Sequence, residues 1–322
     1  MQQLGLEGMP KALFGCTPSR LTTWLDCPRR YRFTYVDRPQ PQRGPAFAHN
    51  SVGAAAHLAL ARFWDLPLVR RTPGEARALL GAAWSPDGFA DAAQAERWKA
   101  YTGDMVARYV ADVDPAHEPR GIERTVAFTT QELAVSGRID RVDERGDELV
   151  VVDYKTGRSV LSEDDARGSL ALALYALGVR RTFRKPCSTV ELHHLPTGTV
   201  HRWEHTEDTL ARHVKRAEAI AEEITTATDY PARPSAMCGW CDFVRVCPTG
   251  LAASGGPKKP WAGLAQEIVP VEDGEPSEAE QRQAGLDALD ADVVRGDEVA
   301  QQQPLHLARV QVDPVVDVPE SA

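Results

Sequence analysis

The chain has 322 residues, of which 43% are hydrophobic and 26% charged, as in globular proteins with an ample core. It has no apolar run of about 18 residues and no basic segment followed by an apolar one at its start, so we expect a cytoplasmic protein with no membrane span. The net charge of −9 lies in the segment from residue 251 onward, which holds 5 basic and 14 acidic residues. The remaining body is neutral, which leaves room for a local basic groove.

The first part of the chain has the apolar spacing of helices. Such spacing covers residues 19–35, with a break at Cys27-Pro28, and then residues 52–64. Two further helices are predicted over 73–84 and 92–113, and they define a helical insertion at about 65–115.

The middle of the chain then changes to strand patterns. Short β-rich runs cover 121–129, 133–142 and 148–154, with a turn-like segment at 144–147. A helix over 164–182, a strand over 189–195 and a long amphipathic helix over 207–226 follow. This order predicts an α/β fold with a mixed central sheet flanked by helices. We expect one folded domain over 1–250 and an acidic, disordered tail over 251–322.

Two carboxylates and a lysine stand at the ends of two neighbouring predicted strands. Asp140 lies in GRIDRVD, and Asp153 and Lys155 lie in VVVDYKTG. Residues i and i+2 of a strand share a face, so Asp153 and Lys155 project together, and a hairpin would bring Asp140 beside them. Paired carboxylates suit a hard cation such as Mg²⁺, and the lysine can orient a water or offset phosphate charge. A plain surface hairpin is the alternative, but the apolar run directly before Asp153 favours a catalytic site.

This arrangement resembles the PD-(D/E)XK nuclease superfamily, in particular RecB-like exonuclease domains and CRISPR-associated adaptation nucleases. The resemblance covers about residues 19–248 and implies a restriction-endonuclease-like core. It implies that Asp140 and Asp153 bind Mg²⁺ or Mn²⁺ and that the main-chain carbonyl of Tyr154 is a further ligand. Lys155 would be the catalytic lysine.

Three further positions follow from the resemblance. The family places a histidine on an earlier helix in a G-x-x-x-H setting, which Gly53 and His57 match, so we expect His57 to bind the metal. Glu123 stands where the family often has a glutamate on its first strand, and it either supports the metal site or pairs with an arginine. Tyr175 matches a family tyrosine on the next helix. Ala171 replaces the usual glutamine four residues earlier, a departure that affects a contact to DNA or to the site but not the metal ligands.

Three cysteines in region 236–248, Cys238, Cys241 and Cys247, have the spacing C-x2-C-x5-C, and a tetrahedral thiolate site needs a fourth ligand. RecB-like nucleases with a cluster use one cysteine before the core and three after it. The resemblance therefore makes Cys27 the fourth ligand and implies a 4Fe–4S cluster that staples the two ends of the fold together. Zn²⁺ bound by the same four thiolates is the alternative.

Arg29 and Arg30 follow Cys27 in CPRRYRF, where basic and aromatic residues alternate. This alternation suits phosphate contacts and base stacking on single strands, so both arginines are candidate DNA contacts. A solvated helix face with its aromatic side in the core fits the pattern equally.

Together these features predict a metal-dependent DNA nuclease. In particular they predict an exonuclease that hydrolyses phosphodiester bonds at single-stranded ends in DNA repair, recombination or related processing. No G-x-x-x-x-G-K-[ST] loop is present, so processive work on duplex DNA would require a helicase partner. A non-catalytic Fe–S module that binds DNA ends and a redox-regulated partner of a helicase are the alternatives.

Overall fold

A computed structural model describes residues 12–265, and a mixed sheet runs through this part of the chain. Its order is β1-β3-β4-β5-β6, with β2 paired to β3. The pairs β1–β3 and β4–β5 are parallel and the others antiparallel, which confirms the predicted mixed α/β fold. The strands are β1 (Phe14–Cys16), β2 (Gly121–Thr129), β3 (Leu133–Arg145), β4 (Glu148–Lys155), β5 (Thr189–His194) and β6 (Thr199–Glu204).

Helices cover both faces of this sheet, and polar caps define where several of them begin. Thr17, Thr72, Asp91 and Thr206 each accept a hydrogen bond from a main-chain N–H of the first turn. The helices are α1 (Pro18–Asp26), α2 (Pro28–Tyr31), α3 (Ala48–Trp64), α4 (Pro73–Ala83), α5 (Ala92–Ala111), α6 (Glu163–Gly168), α7 (Leu170–Phe183), α8 (Glu207–Thr226) and α9 (Pro248–Ser254). Shorter helical turns are Arg32–Val36, Leu68–Arg70, Ala236–Trp240, Val244–Val246 and Ala262–Leu264.

The apolar side chains of β4 alternate between two cores on opposite faces of the sheet. Val150 and Val152 pack with α3 and α5, whereas Val151 packs with α7. Each of the three is at most 1% exposed, and burial of such a side chain contributes about 1.5–3 kcal/mol. Since the alternation continues along the strand, Asp153 and Lys155 follow Val151 on the α7 face.

The single helix predicted over 164–182 is wrong, because the chain forms α6 and α7 with a break between them. Ser169 lies at the break with φ −68° and ψ 108°, outside the helical region. Its hydroxyl accepts a hydrogen bond from the main-chain N–H of Leu172 (3.2 Å) and so caps α7. A serine inside an apolar helical pattern acts here as a start signal.

The predicted end of the folded region at residue 250 is also corrected. The chain continues through α9 to Leu264, which is 5% exposed. The carbonyl oxygen of Leu264 accepts hydrogen bonds from Trp98 Nε1 (3.2 Å) and Gln94 Nε2 (3.3 Å) on α5. Burial of Leu264 and these two hydrogen bonds therefore hold residues 251–264 against the fold, although their composition predicts disorder. The rest of the predicted tail, 266–322, lies outside the described residues. Between residues 12 and 265, no helix combines the length and apolar character that a membrane crossing requires.

Candidate functional site

Asp140 and Asp153 meet where the antiparallel ladder between β3 and β4 ends. The last register pair joins Arg141 to Val152, so the two aspartates are the next residues beyond the end of the ladder. At this point the Asp140 carboxylate, through Oδ2, accepts a hydrogen bond from the main-chain N–H of Tyr154 (2.8 Å). The predicted hairpin therefore places the two carboxylates side by side.

Lys155 lies beside Asp153, as the period-2 spacing of a strand predicts. The two side chains form an ion pair, with 18% of Asp153 and 44% of Lys155 exposed. Burial raises the pKa of Asp153, and the neighbouring Asp140 carboxylate raises it further, while the Lys155 ammonium opposes both effects. A carboxylate in such surroundings is stabilised by an added cation, which suits a metal ligand.

His57 reaches this pair of strands from α3. Its Nδ1 lies 3.2 Å from Asp140 Oδ1. Ligand atoms of His57, Glu123 and Asp140 all lie within 4.8 Å of one another, and in the described part of the chain this is the one group of three such side chains. An imidazole and two carboxylates form a donor set that fits Mg²⁺ or Mn²⁺. Asp153 stands outside that group of three, next to Asp140.

Glu123 comes to the site through an unusual backbone conformation. Its φ is +47°, in the left-handed region that non-glycine residues rarely adopt. The β2–β3 register passes from Ile122 directly to Arg124, so Glu123 stands out of the ladder. Its carboxylate lies near the metal ligands and also pairs with Arg138 Nε (2.8 Å). The sequence left open whether Glu123 supports the metal site or pairs with an arginine, and its carboxylate is placed for both.

Tyr154 points away from the carboxylates, into a buried polar network that the sequence did not reveal. Its hydroxyl accepts hydrogen bonds from Arg141 Nη1 (3.1 Å) and Trp64 Nε1 (3.3 Å). Arg141 also donates to the Tyr109 hydroxyl (3.2 Å) and to Asp143 Oδ2 (3.0 Å). The network fixes the residue whose main-chain carbonyl is the expected further ligand. The one sequence signal for it is the charged pair within GRIDRVD.

Tyr175 lies on α7 near both aspartates. Burial raises its pKa to about 12, and Asp153 and Asp140 contribute to that rise, so the phenol is neutral at pH 7. A Cβ at Gly137 would lie 2.5 Å from Tyr175 Cε1. Glycine on β3 is therefore required for the tyrosine ring to approach the site.

The four predicted cluster cysteines line one cavity of about 270 Å³. Three of their sulfurs accept main-chain hydrogen bonds. The N–H of Arg233 donates to Cys27 Sγ (3.4 Å), that of Ser235 to Cys238 Sγ (3.4 Å) and that of Gly250 to Cys247 Sγ (3.3 Å). The cavity and its donors fit a group held by thiolates.

The two candidate DNA contacts, Arg29 and Arg30, line this cysteine cavity and not the aspartate site. Arg29 Nε donates to the carbonyl of Tyr230 (2.8 Å), and Arg30 pairs with Asp26 at 3.6 Å. Arg29 therefore joins α2, near the start of the fold, to the segment around Tyr230 near its end.

The mixed sheet thus brings two carboxylates and a lysine together at the end of one hairpin, and α3 adds a histidine. A family model for the PD-(D/E)XK nuclease superfamily matches residues 16–248, well over half of the chain. The chain belongs to the PD-(D/E)XK nuclease superfamily. Its sheet and flanking helices are those of the restriction-endonuclease-like fold, as the sequence predicted.

Similar solved structures include a predicted exonuclease from Eubacterium rectale, at 12% identity and a TM-score of 0.46 over 71% of this chain and 86% of that one. Another is SSO0001, at 13% identity and a TM-score of 0.36 over 75% of this chain and 89% of that one. No curated protein matches the chain. Membership of the superfamily therefore rests on the family model.

Proposed function

We propose that the protein is a metal-dependent DNA exonuclease that hydrolyses phosphodiester bonds at single-stranded ends. The observation that supports this most strongly is the convergence of His57, Glu123 and Asp140 within 4.8 Å, next to Asp153 and Lys155. A histidine on a separate helix that contacts the hairpin carboxylates favours a functional site over a plain surface hairpin.

In this proposal His57, Asp140, Asp153 and the main-chain carbonyl of Tyr154 hold the metal. Bound Mg²⁺ or Mn²⁺ would polarise the scissile phosphate and stabilise the leaving oxygen. Lys155, held by Asp153, would orient the attacking water and offset charge on the phosphate. Glu123 would support the ligand group, and Tyr175 would remain a neutral hydrogen-bond donor beside it.

Cleavage of end-labelled single-stranded DNA in Mn²⁺ or Mg²⁺ tests the proposal. Asp153→Ala should lower kcat by at least about 100-fold, since metal catalysis supplies several kcal/mol. Asp104→Ala is the matched control, because Asp104 is an exposed aspartate on α5 paired with Arg77. Equal cleavage by wild type and Asp153→Ala would refute the assignment.

We further propose that Cys27, Cys238, Cys241 and Cys247 hold a 4Fe–4S cluster. Tetrahedral zinc keeps its sulfurs about 3.8 Å apart, given Zn–S bonds of about 2.3 Å. In residues 12–265, no three of these sulfurs lie within 4.8 Å of one another. The wider spacing around a cavity favours the larger cluster over zinc.

The cluster proposal has a spectroscopic test. Anaerobically purified protein should show a broad absorption band near ~400 nm and contain iron and sulfide. Cys241→Ser should lose the band, whereas Cys187→Ala should keep it, because Cys187 is buried away from the cavity. A colourless protein containing zinc would contradict the proposal.

A role in DNA repair, recombination or related processing follows from such an activity. Degradation of duplex DNA from an end would also need a helicase partner to supply unwound strand.

A further inference from the structure

A cavity of about 450 Å³ is lined by residues that neighbour the candidate metal ligands along the chain, and it contains none of those ligands. Asn50 and Gly53 of α3 line one side, and Trp98 and Tyr101 of α5 line another. Residues 156–158, which follow β4, and the turn Ala262–Leu264 contribute the remaining wall.

The cavity and the metal centre are neighbours along two elements. Thr156 directly follows Lys155 on the chain, and Gly53 precedes His57 by one helical turn, a rise of about 5.4–6 Å. A Cβ at Gly53 would lie 3.3 Å from Thr156 Oγ1, so the two walls are in contact. A group bound by the metal ligands and a group in the cavity would therefore be adjacent.

The lining combines aromatic rings with polar groups that have no partner. Trp98 and Tyr101 meet edge to face, with ring centroids 5.3 Å apart. Within residues 12–265, the Tyr101 hydroxyl, the Asn50 amide and the Arg158 guanidinium form no hydrogen bond or ion pair. Aromatic rings stack on nucleobases, an amide and a hydroxyl bond base edges, and a guanidinium contacts phosphate.

We propose that this cavity binds the base of the nucleotide next to the scissile phosphate, against the Tyr101 ring, which the buried Trp98 contacts edge to face. The inference rests on the proposed nuclease function and adds a subsite for the substrate base. A base enters such a cavity only when it is unpaired, which links the site to single-stranded substrate. Stacking accepts every base, so the subsite would hold a strand without reading its sequence.

The test uses the full-length protein and labelled single strands in which one abasic nucleotide is moved position by position. Removing the base that occupies the cavity should lower kcat/KM about 5- to 150-fold, the equivalent of one stacked base. The penalty should be confined to cleavage at one position relative to the abasic nucleotide and should fall mainly on KM.

Tyr101→Ala ties that penalty to the cavity. On intact strands it should lower kcat/KM toward the abasic value, and on abasic strands it should have little further effect. Tyr230→Ala is the matched control, because Tyr230 is a partly buried tyrosine that packs on Trp24, away from the cavity. Asn50→Ala, an exposed change on α3, should reduce the penalty in part and guards against misfolding of Tyr101→Ala.

A uniform or absent abasic penalty in wild type would overturn the inference while leaving the nuclease proposal intact. A penalty that stays unchanged in both Tyr101→Ala and Asn50→Ala would overturn it too. Failure of the wild type to cleave any strand would instead refute the proposed function.

Discussion

Replacing Arg141 with methionine removes a buried cation that bonds the side chain of Tyr154, next to the candidate metal ligand Asp153. The Arg141 side chain is 3% exposed and donates to Asp143 Oδ2 (3.0 Å) and to the Tyr154 hydroxyl (3.1 Å). Methionine fills much of the volume but leaves Asp143, which is 1% exposed, without this partner. Asp143 keeps two other partners, His117 Nε2 (2.9 Å) and Arg145 Nη2 (3.3 Å). The loss should therefore lie near the lower end of the about 3–5 kcal/mol that breaking a buried pair costs. At about 2–4 °C per kcal/mol, a loss of about 3 kcal/mol should lower Tm by roughly 6–12 °C.

Thermal unfolding, followed by circular dichroism, measures the change in Tm, and urea unfolding measures the loss in free energy. Arg77→Met is the control, because Arg77 pairs with Asp104 at the surface and should contribute at most about 1 kcal/mol. The double variant Arg141→Met/Asp143→Leu should regain part of the stability, since the buried carboxylate is removed together with its principal cation. A loss for Arg141→Met no larger than that for Arg77→Met would refute the reasoning.

Three further changes probe strained, crowded and titrating positions. Glu123→Gly relieves a backbone φ of +47°, so stability should rise by up to about 1 kcal/mol while Mn²⁺ affinity falls. Gly137→Ala would place a methyl carbon 2.5 Å from the Tyr175 ring, and this overpacking should cost about 1–3 kcal/mol in urea unfolding and lower activity. Burial, helped by His213, lowers the pKa of His205 from 6.5 to about 4. As the pH falls, His205 is protonated in the unfolded chain before it is protonated in the folded protein. The free energy of unfolding should therefore fall by up to about 3 kcal/mol from pH 6.5 to pH 4, and His205→Gln should remove this pH dependence.

Each of these predictions has a contrary result. Unchanged Mn²⁺ affinity in Glu123→Gly would remove the glutamate from the site. Wild-type stability in Gly137→Ala would show that Tyr175 does not need the close approach. An unaltered pH slope in His205→Gln would assign the acid sensitivity to other groups.

The sequence predicted the centre of the fold because local pattern and tertiary structure agree there. The residues directly before Asp153 are all apolar, a pattern that predicts a strand buried on both faces, and β4 is such a strand. The hairpin to β3 then brings Asp140 close to Asp153 through contacts between segments that are near in sequence. The resemblance supplied His57, which no local pattern distinguishes from an ordinary helical histidine.

Other features depend on contacts far along the chain and left little trace in the sequence. The three-residue strand β1 is defined by parallel pairing with Leu133–Val135, more than a hundred residues away. Strand β6 is a mostly exposed edge, so its hydrophobic signal is weak, although Thr197-Gly198 before it is a turn signal. The left-handed backbone of Glu123 and the place of Leu264 on α5 likewise follow from packing and not from propensity.

Mn²⁺ binding, measured by the loss of the free Mn²⁺ signal in electron paramagnetic resonance, tests the central claim most directly. Wild-type protein should bind Mn²⁺ at a site that Asp140→Asn weakens at least about 10-fold, since one charged ligand is lost. Asp140→Asn should also lose cleavage of single-stranded DNA in parallel. Unaltered Mn²⁺ binding and cleavage by a folded Asp140→Asn variant would contradict a metal-dependent nuclease site at these residues.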